Sequence, residues 1–154
     1  MAVLLPGPPQ HRSTGAPQSV DRRPTAPGFR RYRPGLADFS HLEIVFRFHL
    51  TDPTDLNLGA CRPRDNPDWP EVGIFGHRNM RRLNWLGVSR CRLVAVDGLD
   101  LHVEDLDAVD GTPVPDVKPW FGEMGPRGPQ HQADWTTVML RDYFAQQPRS
   151  NGSR

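Results

Sequence analysis

The chain has 154 residues, a net charge of +1 and 24% charged side chains. That length suffices for one domain with its own hydrophobic core. The near-neutral total excludes a uniformly basic nucleic-acid-binding surface, although it is compatible with a local arginine patch. No apolar run approaches the roughly 20 residues of a membrane-spanning helix. Cys61 and Cys91 form no CxxC pair, which argues against a zinc ribbon or a disulfide scaffold and is typical of cytoplasmic proteins.

Residues 1–36 differ in composition from the rest of the chain. They contain seven prolines, six arginines and one acidic residue, Asp21, without a sustained hydrophobic period. A segment of this kind buries too little apolar surface to offset the entropy lost on ordering. We therefore predict a mostly disordered Pro/Arg-rich arm over residues 1–36, a folded domain over residues 37–147 and a flexible tail over residues 148–154.

Ordered structure is expected to begin at Asp38 and to continue into a half-buried strand. In HLEIVFRFHL, residues 41–50, every second residue from Leu42 onward is Leu, Ile or Phe. This period of two is typical of a strand with one buried face. Residues 51–70 are rich in Pro, Asp and Asn, which favours a long loop. EVGIF, residues 71–75, predicts a further short strand.

A β-hairpin is predicted over residues 89–106. SRCRLVAV has the composition of a strand, LDLHVEDL alternates between apolar and polar residues, and Asp97-Gly98 lies between them. Asp-Gly between two such runs favours a type I′ turn, in which both central residues need positive φ.

Near the C-terminus, the sequence predicts a helix with Asp134 as its N-terminal cap. The apolar residues that follow have helical spacing; they are Trp135, Val138, Met139 and Tyr143. The chain is therefore predicted to be mainly β, with an antiparallel domain and a C-terminal helix.

Two polar segments stand between or after these elements. We call GHRNMRRLNWLG, residues 76–87, the arginine loop, and DGTPVPDVKPW, residues 110–120, the proline segment. The chain has nineteen basic residues, and Lys118 in the proline segment is its only lysine. Lysine is a compact point charge that can lose its proton when partly buried, so this position is a candidate for a specific role. Three prolines exclude a central strand in this segment.

The common catalytic motifs are absent from the sequence. There is no GxGxxG, P-loop, GxSxG or HExxH. His41 and His49 would share a strand face, but they are eight residues apart, which is too far for one metal ion. No metal site is predicted.

Three stretches together are similar to a known family. LADFSHLEIVFRFH resembles a GL-x-x-FSHL strand, GIFGHRNMRRLNWLGVS resembles GVFATRSPFRPNPIGLS, and DGTPVPDVKPW resembles DGTPVLDIKPY. The chain is identified by these motifs as a member of the TsaA/YaeB (TrmO) family, and the resemblance covers about residues 35 to 120. It implies a cytoplasmic tRNA methyltransferase that uses S-adenosylmethionine to methylate the exocyclic amine of threonylcarbamoyl-adenosine at tRNA position 37.

The resemblance also implies a fold and a site. The expected fold is a single antiparallel TsaA-like β-barrel that forms a homodimer and binds S-adenosylmethionine near the subunit interface. The expected cofactor-binding residues are Arg78, Asn84, Leu86 and Gly87 in the arginine loop and Asp110, Gly111, Thr112 and Pro113 in the proline segment.

Methyl transfer is an in-line displacement, so such an enzyme mainly positions two reactants. The attacking amine must also lose a proton, which a carboxylate or a neutral lysine can accept. We therefore predict Asp116 and Lys118 as the catalytic pair. Arg81 and Arg82, together with Arg78, are predicted to contact tRNA phosphates.

The chain departs from the family pattern in two places. Met80, Leu83 and Trp85 replace the three prolines of the arginine loop, which makes the loop less rigid and adds a large stacking surface. In addition, residues 1–34 show no sign of the strands with which family members begin. The first departure keeps open a methyltransferase that acts on a small molecule or another RNA, and the second keeps open a non-catalytic TsaA-like binding module.

Overall fold

The computed structural model of the chain describes residues 34–143 and, for the backbone alone, residues 18–20. The predicted tail at residues 148–154 lies outside the described residues, as does most of the predicted arm at residues 1–36. Gln18–Val20 form strand β1, which the sequence analysis did not predict. Three residues are too few to show a hydrophobic period, and β1 is recognised only by its pairing with a neighbouring strand.

In the part of the chain that the structure describes, the fold is a five-stranded antiparallel sheet with one C-terminal helix, which confirms the predicted mainly β class. After β1, the strands are β2 at His41–Arg47, β3 at Leu86–Asp97, β4 at Asp100–Glu104 and β5 at Asp116–Pro119. Their order across the sheet is β1-β4-β3-β2-β5. Within the described residues β1 and β5 occupy opposite edges and do not pair, so the sheet is open rather than a closed barrel.

The hydrophobic core lies on one face of this sheet. The predicted alternation in β2 is confirmed, because Leu42, Ile44 and Phe46 are all at most 2% exposed. Cys91 in β3 and two β4 residues, Leu101 and Val103, pack on the same face. The opposite face of β2 and β3 carries partly exposed side chains, several of them charged, since successive residues of a strand point to opposite sides.

The predicted hairpin is formed by β3 and β4, but its turn differs from the expected type. Asp97 pairs with Asp100, so Gly98 and Leu99 are the two central residues. Gly98 has φ +48° and Leu99 is not among the residues with positive φ. A positive φ at the first central position alone defines a type II′ turn, which favours glycine there. The Asp-Gly signal located the hairpin correctly, and the strand register moved the turn by one residue.

The predicted strand at residues 71–75 is wrong. Val72 makes a single isolated bridge with Cys61, and the chain then forms a 3-10 turn at Ile74–Gly76. A strand needs a continuous partner, and the segment opposite Val72 turns away into another 3-10 turn at Pro63–Asp65.

The predicted C-terminal helix, α1, extends over Asp134–Leu140. Ala133 occupies the N-cap position, so Asp134 lies within the first turn and makes no capping hydrogen bond. Trp135 packs against Trp69, with ring centroids 6.2 Å apart. Val138, predicted as part of the buried stripe, is 54% exposed, because α1 is short and covers a loop rather than the sheet.

The proline segment is partly a strand. Its residues Asp116–Pro119 form β5, which pairs with β2 at the edge of the sheet. Proline is tolerated there because an edge strand need not donate on its outer side. The expectation that this segment forms no central strand is confirmed.

Candidate functional site

The order of the strands brings the arginine loop and the proline segment to the same end of the sheet, where β2 ends. Both β3 and β5 run antiparallel to β2 and flank it. The N-terminal ends of β3 and β5 therefore lie together at the C-terminal end of β2. The arginine loop leads into β3, and the first residues of the proline segment lead into β5.

Two hydrogen bonds fix both segments to the end of β2. The Arg47 amide donates to the Pro113 carbonyl at 2.9 Å, and the Phe48 amide donates to the Trp85 carbonyl at 2.7 Å. Because Arg47 and Phe48 are consecutive, the two segments attach to adjacent points of the backbone. We take this end of the strands as the candidate functional site. We call it the site edge, which differs from the lateral edges of the sheet at β1 and β5.

Within the arginine loop, two guanidinium groups bind backbone carbonyls. Arg78 Nη2 donates to the carbonyl of Val88 at 2.9 Å, and Arg82 Nη1 donates to that of His77 at 2.5 Å. These bonds shape a loop that lacks the family's prolines. Arg81 is half-buried, whereas Asn84 and Leu86 are exposed at the edge.

Gly87 has a packing function. A Cβ atom at this position would lie 2.4 Å from two ring carbons of Phe46, closer than van der Waals contact allows. The chain therefore needs glycine at residue 87 because the Phe46 ring lies against its backbone. Its predicted role in cofactor binding stays a prediction.

The proline segment begins with a tight turn. The Thr112 amide donates to the Val109 carbonyl at 3.2 Å, and Gly111 has φ +73°. Positive φ at the third residue of a turn is the type II pattern, which favours glycine. Asp110, Gly111 and Pro113 are exposed, and nothing lies within 4 Å of where a Gly111 Cβ would be. The backbone of this turn is thus open to a ligand.

The structure brings Asp116 and Lys118 into contact. Lys118 Nζ donates to Asp116 Oδ2, as expected for residues i and i+2 on one strand face. Their side chains are 47% and 59% exposed. Asp116 pairs with Val45 and Lys118 pairs with Glu43, so Asp116 is nearer than Lys118 to the edge with the two loops.

Trp85 is the unusual residue of this edge. It has φ +49°, a region that bulky side chains rarely adopt. Its indole Nε1 is buried and has no hydrogen-bond partner among the described residues. Trp85 lines an open pocket of about 210 Å³ together with Arg47, Phe48, His49, Thr51 and Pro53.

From the sequence, Trp85 was expected to add a stacking surface but was not among the predicted site residues. Arg47, Phe48 and His49 were missed as well, because the alternation of the β2 sequence gave them the appearance of ordinary strand residues. Only the end of β2 at Arg47 shows that they belong to the edge.

In residues 34–143, no group of three or more His, Cys, Asp or Glu side chains could hold a metal ion. No helix in the described part of the chain is both long and apolar enough to cross a membrane.

The two cysteines lie in different surroundings. Cys91 is buried in the core. Burial raises the pKa of its thiol to about 12, and the charge of Asp105 acts in the same direction. Cys61 Sγ lies 3.5 Å from His77 Nε2. That nitrogen is also 3.1 Å from the Cys61 carbonyl and 3.0 Å from the Val72 carbonyl. The two carbonyls require it to be the protonated donor, so it cannot act as a base toward Cys61.

The described residues thus define a class of domain. It is built on an open antiparallel sheet and carries two motif-bearing segments at the same end of its strands. The model of the tRNA-methyltransferase O N-terminal domain family matches residues 13–125, well over half of the chain. The chain therefore belongs to this family, as the motifs indicated.

Several curated proteins are similar to the chain. The tRNA (adenine(37)-N6)-methyltransferase of Escherichia coli is 39% identical over 95 residues, which covers 56% of this chain and 38% of that protein. The mouse protein of the same name is 34% identical over 89 residues, covering 58% of this chain and 20% of that protein. A probable S-adenosyl-L-methionine-binding protein of Pyrococcus abyssi is 31% identical over 115 residues, covering 73% and 60%. The chain thus spans only a fifth to three fifths of the length of these relatives.

Solved structures show the same fold. Two crystal structures of TrmO from Pseudomonas aeruginosa match with TM-scores of 0.51 and 0.54 and with 26% and 25% sequence identity. Each match covers 71% of this chain and less than half of the other one.

Proposed function

We propose that this protein is an S-adenosylmethionine-dependent methyltransferase that acts on the exocyclic amine of threonylcarbamoyl-adenosine at tRNA position 37. The observation that carries the proposal is the meeting of the two family motifs at Arg47 and Phe48. Membership of the family and the names of the similar proteins support it. A tRNA substrate would place the reaction in the cytoplasm.

The residues at this edge are suited to S-adenosylmethionine. The exposed carboxylate of Asp110 and the open backbone at Gly111 can accept hydrogen bonds from ribose and amino groups, and Thr112 and Pro113 complete that turn. From the arginine loop, Arg78, Asn84 and Leu86 would form the other side. When bound, the cofactor supplies a methyl group on a cationic sulfur, which the carboxylates at this edge would stabilise electrostatically.

Asp116 and Lys118 are proposed as the catalytic pair. Asp116 would accept the proton from the attacking amine, since a carboxylate near the edge is within reach of a substrate bound there. Lys118 contacts Oδ2 of Asp116 and would hold the carboxylate in one rotamer. The pair is exposed, so the bound substrate would have to exclude water from it.

The RNA would be bound by a local basic patch. Arg47, Arg78, Arg81 and Arg82 belong to the same edge, although the whole chain carries a net charge of only +1. One nitrogen each of Arg78 and Arg82 binds a backbone carbonyl. Guanidinium groups have five N–H donors, so these side chains retain donors for phosphates.

A homodimer is also proposed. Leu86 and Val88 are 43% and 38% exposed on the charged face of β3, next to the candidate site. Such a surface would be covered by a second copy. Size-exclusion chromatography with light scattering should give twice the mass of one chain, and a monomer at all concentrations would contradict the proposal.

Two measurements test the activity. Calorimetry should show binding of S-adenosylmethionine, and mass spectrometry of nucleosides should show a methyl group added to threonylcarbamoyl-adenosine only when protein and cofactor are both present. Cofactor binding without this product would instead favour a small-molecule or other RNA acceptor, for which Trp85 in place of proline is the motivating feature. No cofactor binding would leave a non-catalytic binding module.

A further inference from the structure

None of the residues proposed to bind the cofactor or to transfer the methyl group lines the pocket beside Trp85. It lies where β2 ends, and its lining residues are the aromatic Trp85 and Phe48, the polar or cationic Arg47, His49 and Thr51, and Pro53. It is open to solvent and has a volume of about 210 Å³. This is less than the roughly 300 to 1,000 Å³ of pockets that enclose a whole drug-sized ligand, and it suits a single planar ring.

Trp85 is held in this wall at an energetic cost. Left-handed φ is unfavourable for a large side chain, and a buried indole N–H without a partner loses its hydrogen bond to water. The Phe48 amide bond to the Trp85 carbonyl fixes the residue in this conformation. Strain of this kind is concentrated at functional sites, where a surrounding structure maintains it.

Arg47 is positioned to contact an anion beside the ring. Its guanidinium carbon lies 5.6 Å from the centroid of the Trp85 ring. By comparison, Arg90 lies only 4.3 Å from the ring of Trp120, so Arg47 is the more loosely stacked of the two. Arg47 is exposed, and its side chain can turn toward a phosphate while another planar group stacks on the indole.

We propose that this pocket binds one nucleotide of the RNA substrate, with its base stacked on Trp85 and its phosphate contacted by Arg47. An aromatic platform beside a cation is the chemistry that recognises single-stranded nucleic acid, as in a loop of RNA. The inference rests on the proposed function for the class of substrate, and it adds a binding site for a nucleotide other than the one that is methylated.

The chain provides a matched control at the opposite end of β2. The Trp120 amide donates to the His41 carbonyl, so the Arg90–Trp120 pair lies at the start of β2. Arg47 is the last residue of the same strand. The two ends of β2, at His41 and Arg47, are six residue steps apart, or about 20 Å. A substitution of Trp120 therefore removes a similar Arg–Trp pair without touching the pocket.

The test measures affinity for an unmodified anticodon stem-loop RNA without cofactor, and affinity for S-adenosylmethionine without RNA. Trp85→Leu should weaken RNA binding at least about fivefold, since base–aromatic stacking is typically this strong. Its cofactor affinity should stay within about twofold. Trp85→Phe, which keeps a stacking surface but has no N–H, should recover most of the RNA affinity, and Trp120→Leu should leave it unchanged.

Arg47→Gln provides a second, independent measurement. If Arg47 contacts a phosphate, the slope of log affinity against log salt should become less negative by about 0.7 to 0.9 in this variant. This readout does not depend on whether the Trp85 variants fold.

Two results would overturn the inference. One is an unchanged RNA affinity in a folded Trp85→Leu protein together with an unchanged salt slope in Arg47→Gln. The other is a loss of cofactor affinity alone, which would mean that the adenine of S-adenosylmethionine occupies the pocket. A wild-type protein that binds RNA through Trp85 but transfers no methyl group would instead contradict the proposed function and leave this inference intact.

Discussion

Asp116 illustrates, at the scale of single residues, what a site on an edge strand requires. It is the first residue of β5 and pairs with Val45, so its backbone is fixed by the sheet while its carboxylate remains exposed. Lys118 contacts that carboxylate from the same strand face. An exposed ion pair of this kind adds little to stability, so substitutions here should affect activity far more than folding.

Asp116→Ala is expected to lower methyl transfer at least about tenfold, equivalent to about 1.4 kcal/mol in the activation barrier. The reason is the loss of the carboxylate that accepts the proton from the amine. Initial rates with modified tRNA measure the effect. Asp100→Ala is the matched control, because Asp100 is an exposed β4 carboxylate at the far edge of the sheet. Equal rates in both variants would show that Asp116 takes no part in methyl transfer.

Gly87→Ala should destabilise the protein by about 1 to 3 kcal/mol, the usual range for overpacking a core. The added methyl group would overlap the Phe46 ring. Gly73→Ala is the control, since nothing lies within 4 Å of its Cβ position and its φ is −67°. Urea unfolding of both variants measures the difference. A Gly87→Ala protein as stable as Gly73→Ala would show that Phe46 can move at no cost.

The Cys91 thiol predicts a specific pH dependence. Its pKa of about 12 in the folded protein exceeds the value of about 8.5 for an unfolded chain. The folded state therefore retains a proton that the unfolded state releases, and this contribution to stability is complete below about pH 8.5. It declines as pH rises toward 12, by up to about 1.4 kcal/mol per pH unit.

The comparison is between the wild type and Cys91→Ala, with unfolding free energies measured from pH 8 to 11. The wild type should lose stability more steeply with pH over this range, although Cys91→Ala should be less stable at neutral pH because of the cavity it leaves. Parallel curves would show that the thiol titrates similarly in both states.

At the scale of elements, α1 is a short helix that packs on loops. Trp135 contacts the ring of Trp69 and also that of His77, with centroids 6.4 Å apart. His77 in turn accepts the hydrogen bond from Arg82 through its carbonyl. At the other end, the Tyr143 hydroxyl donates to Asp107, shortly before the proline segment. The helix and the turn that follows it thus contact the regions from which both site segments begin.

Trp135→Ala is expected to lower the free energy of unfolding by about 1 to 2 kcal/mol, because two aromatic contacts and part of the indole burial are lost. Val138→Ala on the same helix is the control, since Val138 is 54% exposed and should change stability by less than about 0.5 kcal/mol. Denaturant unfolding distinguishes the two. Similar losses in both variants would mean that α1 contributes through its helical propensity rather than through Trp135.

At the scale of the whole molecule, the distribution of charge matters more than its sum. Arginines are present at both ends of β2, but those at the start of the strand are engaged with acids: Arg92 binds Glu104 and Arg90 binds Glu43. Arg78 and Arg82 donate to carbonyls instead, and these contacts do not neutralise their charge because a carbonyl carries no formal charge. The arginines of the candidate site are therefore available to an anionic ligand, whereas Arg90 and Arg92 are paired with acids.

Arg78→Gln should weaken RNA binding severalfold and reduce the salt slope by nearly one unit, whereas Arg92→Gln, which removes an arginine already paired with an acid, should change both quantities little. Binding assays over a range of salt concentrations provide the measurement. An equal effect of the two substitutions would mean that RNA contacts the whole charged face rather than one edge.

The sequence by itself determined the elements whose signal is local. The alternation of Leu42, Ile44 and Phe46 identified β2, Asp97-Gly98 located the hairpin, and the two motif segments identified the family. These signals are local because side-chain periodicity and turn chemistry depend on a few neighbouring residues. The three prolines of the proline segment also excluded a central strand there.

Only the tertiary structure decided how these elements meet. Strand pairing between residues far apart in the chain showed β1, excluded a strand at 71–75 and placed β5 beside β2. The same pairing placed the Phe46 ring against the backbone of Gly87. It also brought Trp85 and Arg47 together at one pocket. None of this is encoded by a local period, because each feature depends on which distant backbone lies opposite, and the sequence of a single segment does not specify its partner.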